Sequence, residues 1–313
     1  MDLHAFGPVW DGAGARGFSG EGYWYHWLVP GLSFDGSTFV SKTITTYGTT
    51  GNMPLTERYA PQEFFPDCIA LMKAKGAALN SVGLSGPSVS EFLETGRWQE
   101  IEDPFFISWM PVLSLEDPRY EWEMREFVLA FSRELSTFRT NPGIQLNISC
   151  PNTHVDLKAL ERRVERLLNM LSILCLPVVV KLSLLVPPEA AVKIAQHPAC
   201  SGLCIANTIP FGTVLSEKWW ELNFPNGSPL EEQGLTAGGL SGAPLLYEVE
   251  RWLKDFRRLD KETYVNAGGG IMRPSDVDRL HYAGANSVFF ASVAMLRPWR
   301  VRRIVKRAHE LFV

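Results

Sequence analysis

Short apolar runs alternate with longer amphipathic stretches along most of the chain. The short runs are nearly continuous in apolar residues, as in VVVKLS (178–183) and SVFFAS (287–292). Unbroken apolar runs of this length are typical of strands buried on both faces of a parallel sheet. We therefore predict eight strands, at residues 7–10, 38–43, 105–110, 144–149, 178–183, 202–207, 263–268 and 287–292.

Several segments between the predicted strands have the spacing of amphipathic helices. Residues 117–135 and 156–174 carry apolar residues at helical intervals, with charged residues on the other faces. Strands that alternate with helices predict a parallel α/β architecture, and eight strands suit a TIM (β/α)8 barrel forming one domain over residues 1–313. An open doubly wound sheet would show the same alternation.

Two long excursions interrupt the alternation, at residues 44–104 and 208–262. Both are rich in Gly, Pro, Asn and aromatic residues. Long connections within a compact domain usually act as lids or binding loops, so we expect both over the C-terminal face of the barrel. We assign the run AALNSVGL (77–84) to the first excursion rather than to the barrel, because it is poor in β-branched residues.

The amino-acid composition limits the kinds of molecule that the chain is expected to bind. A hydrophobic content of 46%, with 20% charged residues and a net charge of -4, gives no reason to expect nucleic acid or a membrane as partner. The five cysteines form no CxxC pair, so we predict no metal site, and their odd number suits a reducing compartment. We see neither a signal peptide nor a run of ~20 apolar residues. A cytoplasmic protein that acts on small molecules is expected.

Polar side chains cluster at the C-terminal ends of the predicted strands. Taken singly, each has an ordinary explanation: a lysine there is usually solvated, an asparagine forms a turn, and a cysteine is a small buried hydrophobe. Their coincidence at corresponding strand ends is harder to attribute to turns alone, and barrel enzymes build their sites at this face. The candidate site residues are Lys42, Thr43, Asn147, Cys150, Lys181, Asn207 and Thr208.

The last two predicted strands end in small residues, in NAGGGI (266–271) and FFASVAM (289–295). Loops after strands seven and eight of such barrels commonly bind phosphate through backbone N–H groups. The two loops together predict a phosphate site, although the triple glycine alone would also suit a turn. GAGARG (12–17) matches the dinucleotide-binding fingerprint, but no acidic residue is clearly placed after a following strand.

Together these segments resemble the dihydroorotate dehydrogenases, and more the class 1 enzymes, which use a cysteine base, than the membrane-associated class 2. LNISCPN is highly specific, whereas the glycine loops alone are not. The resemblance implies an FMN-binding (β/α)8 barrel that oxidises (S)-dihydroorotate to orotate in pyrimidine biosynthesis. It runs in the family's order through SKTIT (41–45), GNMPLTERY (51–59), LNSVGL (79–84), LNISCPN (146–152), VVKLS (179–183), ANT (206–208), GGLSG (238–242), NAGGGI and FASVAM.

The resemblance also implies roles for individual residues. The flavin would contact Ala13, Lys42, Thr43, Asn147, Lys181, Ala206 and Gly242, with its phosphate on Gly269, Gly270, Ala291 and Ser292. The substrate would contact Lys42, Asn80, Ser81, Val82, Gly83, Leu84, Asn147, Asn152, Asn207 and Thr208.

By the same resemblance, Cys150 and Lys42 are the catalytic residues. Cys150 would remove the proton from C5 of the substrate while a hydride leaves C6 for flavin N5, which a thiol can do where its surroundings favour the thiolate. Lys181 would stabilise the negative charge of the reduced flavin near N1. Fumarate, or NAD through a partner subunit, would accept the electrons, and a homodimer is expected.

Some positions depart from the family's pattern. Ala267 and Ala291 stand where glycine is usual, and the methyl group of Ala291 would crowd the phosphate loop. The chain after Asn152 lacks the usual Pro-Gly, and residues 209–232, with two tryptophans, are unusual. Two alternatives therefore stay open: a related FMN-dependent reductase or dehydrogenase acting on another pyrimidine or unsaturated carbonyl compound, and a flavin-binding barrel without activity.

Overall fold

The computed structural model describes residues 2–148 and 156–312, which contain two β-sheets. The strands are β1 (Val9–Asp11), β2 (Ile69–Met72), β3 (Ala77–Asn80), β4 (Phe106–Trp109), β5 (Gly143–Asn147), β6 (Val178–Leu182), β7 (Gly202–Ile205), β8 (Ile209–Pro210), β9 (Gly239–Gly242), β10 (Val265–Gly268) and β11 (Ser287–Phe290). Seven of them form a parallel sheet in the order β1-β11-β10-β7-β6-β5-β4. The other four form a small antiparallel sheet in the order β2-β3-β9-β8.

Helices follow most strands of the parallel sheet, as the sequence predicts. They are α1 (Trp24–Leu28), α2 (Val89–Glu94), α3 (Tyr120–Glu134), α4 (Leu157–Leu171), α5 (Pro188–Ala195), α6 (Glu217–Asn223), α7 (Leu246–Leu259), α8 (Pro274–Tyr282), α9 (Ser292–Leu296) and α10 (Val301–Leu311). Helices α3 and α4 confirm the two amphipathic predictions. In α4 the Asp156 side chain caps the first turn, and Leu160, Val164 and Leu171 are among the residues buried at helical spacing.

Residues 38–44 close the parallel sheet into a ring. Thr38 forms a parallel bridge with Trp10 on one edge strand, β1, while Val40 and Ile44 form parallel bridges with β4 on the opposite edge. Backbone hydrogen bonds run across both junctions, including Thr38 N to Val9 O at 2.9 Å and Ile44 N to Ser108 O at 2.8 Å. The ring has the parallel, helix-wrapped order of a TIM-barrel-like fold and is not an open doubly wound sheet.

The closing segment is not the regular strand that we predict for residues 38–43. Only isolated bridges form there, and the Ser41 side chain helps to explain why. Its Oγ accepts the Ser108 N–H at 3.0 Å, so a side-chain bond replaces a bond of the backbone ladder. The prediction of a strand is therefore wrong in its regularity, but its position in the ring is right.

The interior of the ring is packed with large side chains. The Phe6 ring stacks on Phe106 with centroids 4.1 Å apart, and the Trp10 ring lies 4.4 Å from Phe106. Phe6 belongs to a short 3-10 helix, Leu3–Phe6, that packs into the interior from the N-terminal side. The buried interior cluster is Leu3, Phe6, Trp10, Val40, Phe106, Val179, Cys204 and Phe289. The barrel is thus a filled core and not a channel.

The two long excursions supply the small antiparallel sheet. Strands β2 and β3 come from the first excursion, and β8 and β9 come from the second. The run 77–84, which we assign to the first excursion, begins with β3, which pairs with β2 and β9. Its exclusion from the barrel is confirmed, and residues 77–80 form a strand of the small sheet because strand pairing across the excursions overrides their weak β propensity.

None of the helices in the two described ranges combines the length and the apolar character that crossing a bilayer requires.

Candidate active site

A chain of hydrogen bonds between neutral side chains joins four parts of the ring at the C-terminal strand ends. Asn207 donates from Nδ2 to Oδ1 of Asn147 at 2.7 Å, and Asn147 donates from Nδ2 to Oγ1 of Thr43 at 3.2 Å. Thr43 Oγ1 lies 2.9 Å from Oγ of Ser108 on β4. Thr208 N donates to Oδ1 of Asn207 at 3.0 Å, which fixes that amide. The structure therefore brings together four of the predicted site residues.

Lys181 lies beside this chain, in register with Asn147 on the neighbouring strand. Its side chain is only 7% exposed, and its ammonium faces the Phe289 ring at 5.7 Å from the centroid. Among the described residues, no carboxylate forms an ion pair with it. Burial lowers the pKa of Lys181. A cation placed here without a counter-charge costs free energy unless a ligand compensates it.

Cys204 does not supply that compensation, although it is the register partner of Lys181 on β7. Burial raises the pKa of the Cys204 thiol to about 12, against the opposing effect of Lys181. The thiol is therefore protonated and neutral at physiological pH. It interacts with Asn266 Oδ1 at 3.5 Å, deeper in the ring.

Lys42 reaches across to the first excursion. Its Nζ donates to the backbone O of Ser85, and it lies over the Phe18 ring at 4.8 Å from the centroid. Burial lowers the pKa of Lys42 to about 8. Because Ser85 directly follows Leu84, this contact places the predicted substrate loop beside Lys42.

The predicted substrate loop, residues 80–84, is hydrogen-bonded to the second excursion and to an earlier part of its own excursion. Ser81 Oγ lies 2.8 Å from Oγ1 of Thr236, and Asn80 donates from Nδ2 to Gly239 O at 3.4 Å. The backbone O of Val82 accepts the N–H of Asn52 at 2.8 Å, and Leu84 O accepts the hydroxyl of Thr49. Gly83 at the tip is exposed. The small sheet thus holds this loop in position.

The first loop, which contains Ala13, is held by a buried ion pair. The Asp11 carboxylate accepts from Arg16 and from the Ser37 hydroxyl, the latter at 2.8 Å. The Arg16 guanidinium lies over the Phe34 and Phe39 rings at 5.2 and 5.3 Å. The residues between Trp10 and Phe39 therefore pack onto the barrel around this ion pair.

The residues predicted to hold phosphate, Gly269, Gly270, Ala291 and Ser292, follow the adjacent strands β10 and β11. Ser292, at the start of α9, donates to the hydroxyl of Ser241 on β9 at 3.0 Å, next to Gly242. Gly242 has a φ of +106°, and a Cβ there would lie 2.3 Å from Gly76 O, so glycine is required by internal packing alone. Gly242 and Ala206 are predicted to line the rest of the flavin.

The methyl group of Ala291 packs directly against Gly12. A Cβ on Gly12 would lie 2.6 Å from the Ala291 Cβ. Gly12 therefore provides the space that the methyl group of Ala291 occupies, which a single sequence does not reveal. That this methyl group crowds the phosphate loop stays a prediction.

Two predicted residues, Cys150 and Asn152, lie outside the described residues. Sequence reasoning in turn missed Ser108, Ser85, Ser241 and Gly12. Ser108 had a usable signal, since it is a polar residue near the end of the apolar run FFISWM (105–110). The other three act through contacts between segments distant in sequence.

The chain is similar to a known protein family. A family model described as dihydroorotate dehydrogenase matches residues 35–311 of the chain. Among curated proteins, none matches the chain.

We expect Lys181→Met to stabilise the flavin-free protein. The substitution removes a buried ammonium and keeps most of the side-chain volume, so the free energy of unfolding should rise by about 1–2 kcal/mol. Urea denaturation measures it. Lys218→Met, at an exposed position of α6, is the matched control and should change stability by less than about 0.5 kcal/mol. A destabilised Lys181→Met variant would show that the ammonium is already compensated within the chain.

Gly12→Ala should destabilise the protein by about 1–3 kcal/mol, because the new methyl group overlaps that of Ala291. Adding Ala291→Gly should restore most of the loss. Unfolding free energies of the two single variants and the double variant give the interaction energy. Additive effects would contradict the direct contact between these positions.

Proposed function

Because the chain belongs to the dihydroorotate dehydrogenase family, an oxidoreductase family, we propose that it oxidises (S)-dihydroorotate to orotate with FMN as cofactor and Cys150 as base. The family generally binds flavin. Our proposal comprises FMN as the flavin, a cysteine base as in class 1, and the contacts of the individual residues.

One observation carries the proposal: the buried ammonium of Lys181. In the described part of the chain it has no carboxylate partner, and it stands beside the amide of Asn147 at the C-terminal strand ends. A group that gains negative charge on reduction would compensate this cation and be stabilised by it. The residues present therefore fit a flavin, whose N1 side Lys181 would hold, with its phosphate near Gly269, Gly270 and Ser292.

The neutral chain of hydrogen bonds suits recognition of a pyrimidine. Asparagine amides present both donors and acceptors, as the amide groups of dihydroorotate do. Two hydrogen bonds, from Asn207 to Asn147 and from Asn147 to Thr43, fix the orientation of these side-chain amides. The substrate would thus meet groups whose orientation is already set, which reduces the ordering needed during reaction.

The proton transfer is assigned to Cys150. The Cys150 thiolate would take the proton from C5 of dihydroorotate and become a thiol, and the electron pair of the C5–H bond would form the new double bond. Bound FMN would supply the acceptor for the hydride that leaves C6. Lys42, held against Ser85 O, would attract the carboxylate of the substrate.

The aromatic residues of the second excursion give no support to a different substrate. Trp220 is buried, and its ring lies 4.6 Å from that of Phe211 and 5.7 Å from that of Phe224. Its indole N–H donates to Thr213 O at 3.2 Å. These side chains form a local core beneath β8 and α6, so their unusual sequence has a structural explanation.

Other expectations stay predictions that rest on the resemblance. They are fumarate, or NAD through a partner subunit, as electron acceptor, the homodimer, the cytoplasmic location and the organisation of residues 1–313 as one domain.

Cys150→Ala should bind FMN as the wild type does but lose at least ~100-fold in the rate of flavin reduction by dihydroorotate, because the base is absent. Anaerobic stopped-flow absorbance measures this rate. Cys175→Ala, which removes an exposed thiol, is the matched control and should reduce at the wild-type rate. Normal reduction in Cys150→Ala would remove Cys150 from its role.

The Michaelis constant for dihydroorotate should rise as the pH passes about 8, where Lys42 loses its proton. The neutral amine attracts the substrate carboxylate less, so binding weakens on the alkaline side and is strongest below the pKa. Steady-state kinetics between neutral and alkaline pH measure this dependence. Lys42→Met should show a high Michaelis constant without the rise, and a flat wild-type profile would contradict the assignment.

A further inference from the structure

A second concave site lies beside the predicted phosphate loops. This cavity of about 360 Å³ is formed by the turn after β2, the start of α7, the loop after β10 and the segment after α9. Its volume is within the range of small-molecule sites, roughly 300–1,000 Å³. It shares only Gly270 with the predicted flavin residues. We call it the basic cavity; its lining includes Lys75, Gly76, Ala243, Leu246, Tyr247, Gly270, Met272, Arg273, Asp276, Arg279, Arg297 and Arg300.

The basic cavity concentrates positive charge in a chain whose net charge is -4. Five of its lining residues are cationic and one, Asp276, is anionic. Asp276 is already engaged, since its carboxylate accepts the N–H groups of Met272 and Arg273 at 2.9 and 3.1 Å. Arg279 is paired with Glu250 at 2.8 Å, outside the lining.

Three cations of the basic cavity have only backbone oxygens as hydrogen-bond partners among the described residues, and Lys75 also lies over the Phe224 ring at 5.9 Å from the centroid. Lys75 Nζ lies 3.4 Å from Asn223 O, Arg297 Nη2 lies 3.5 Å from Lys73 O, and Arg300 Nη1 lies 3.1 Å from Met272 O. An arginine has five N–H donors, so most of the donor capacity of the two guanidinium groups is unused by these bonds. Such side chains, converging from separate segments, are poised for an anion.

We propose that the basic cavity binds a small phosphate monoester through Lys75, Arg297 and Arg300. A phosphate monoester carries roughly two negative charges and three terminal oxygens, which matches three cationic side chains. Planar guanidinium groups bind such oxygens in pairs. A monocarboxylate has one charge and two oxygens and satisfies fewer of these donors. The start of α7 adds the positive end of a helix dipole.

This site borders the proposed flavin site, with which it shares Gly270, and does not rest on the proposed reaction. The other predicted phosphate residues, Gly269, Ala291 and Ser292, are absent from the lining, and the flavin phosphate would bind backbone N–H groups there rather than arginines. Saturation with FMN should therefore leave the basic cavity open to a second anion.

The test is calorimetric titration of inorganic phosphate into the whole protein saturated with FMN, at low ionic strength, where electrostatic binding is strongest. We expect saturable binding that weakens at least 10-fold in the double variant Arg297→Gln/Arg300→Gln. The single variant Lys75→Gln, which changes an exposed side chain and should leave the fold intact, is expected to weaken it at least 3-fold.

Arg303→Gln is the matched control, because Arg303 is an exposed cation of α10 outside the lining. It should bind phosphate as the wild type does. Four results would overturn the proposal: no saturable binding, equal weakening in Arg303→Gln, binding only when FMN is left out, or succinate binding as tightly as phosphate. Binding lost on FMN saturation would assign the cations to the flavin's own phosphate.

Discussion

The burial of one ammonium, for which the described residues provide no carboxylate partner, organises the candidate site. Lys181 lies among an amide, a thiol and an aromatic ring, none of which carries a charge at physiological pH. Desolvating a cation in this way costs several kcal/mol, and a folded chain tolerates the cost when a ligand repays it. The neutral side chains around Lys181 thus leave its charge available to the ligand. A carboxylate at any of these positions would pair with the Lys181 ammonium, and its charge would then not be available to a flavin.

The aromatic core and the candidate site lie at opposite ends of the barrel axis. Towards the N-terminal side, Phe6, Trp10 and Phe106 fill the ring with packed aromatic rings. At the opposite end, the strands finish in hydroxyl and amide groups that hydrogen-bond across the ring, beside the Lys181 ammonium. The small antiparallel sheet from the two excursions then holds the loop at residues 80–84 and, through Ser85, the end of Lys42. The site therefore lies above the packed aromatic core, and the small antiparallel sheet supports it from one side.

Much of this architecture could be predicted from the sequence, because strands buried on both faces leave continuous apolar runs. The helices α3 and α4 followed from their period, and polar residues predicted at the strand ends do meet at one face of the ring. Contacts between distant segments could not be predicted. The side chain of Ser41 interrupts a ladder, β3 pairs with partners in both excursions, and Gly12 makes room for Ala291. Each of these depends on a neighbour that the linear pattern does not show. Cys150 and Asn152 lie outside the described residues, so their roles stay predictions.

The measurement that tests the central claim most directly is the visible spectrum of the purified protein before and after anaerobic addition of dihydroorotate. We predict an oxidised flavin band that bleaches on addition of the substrate, since under the proposed function FMN would lie against the Lys181 ammonium and the substrate would supply the hydride. A flavin band that persists would contradict dihydroorotate as substrate. A colourless protein that takes up no added FMN would contradict the flavin site itself.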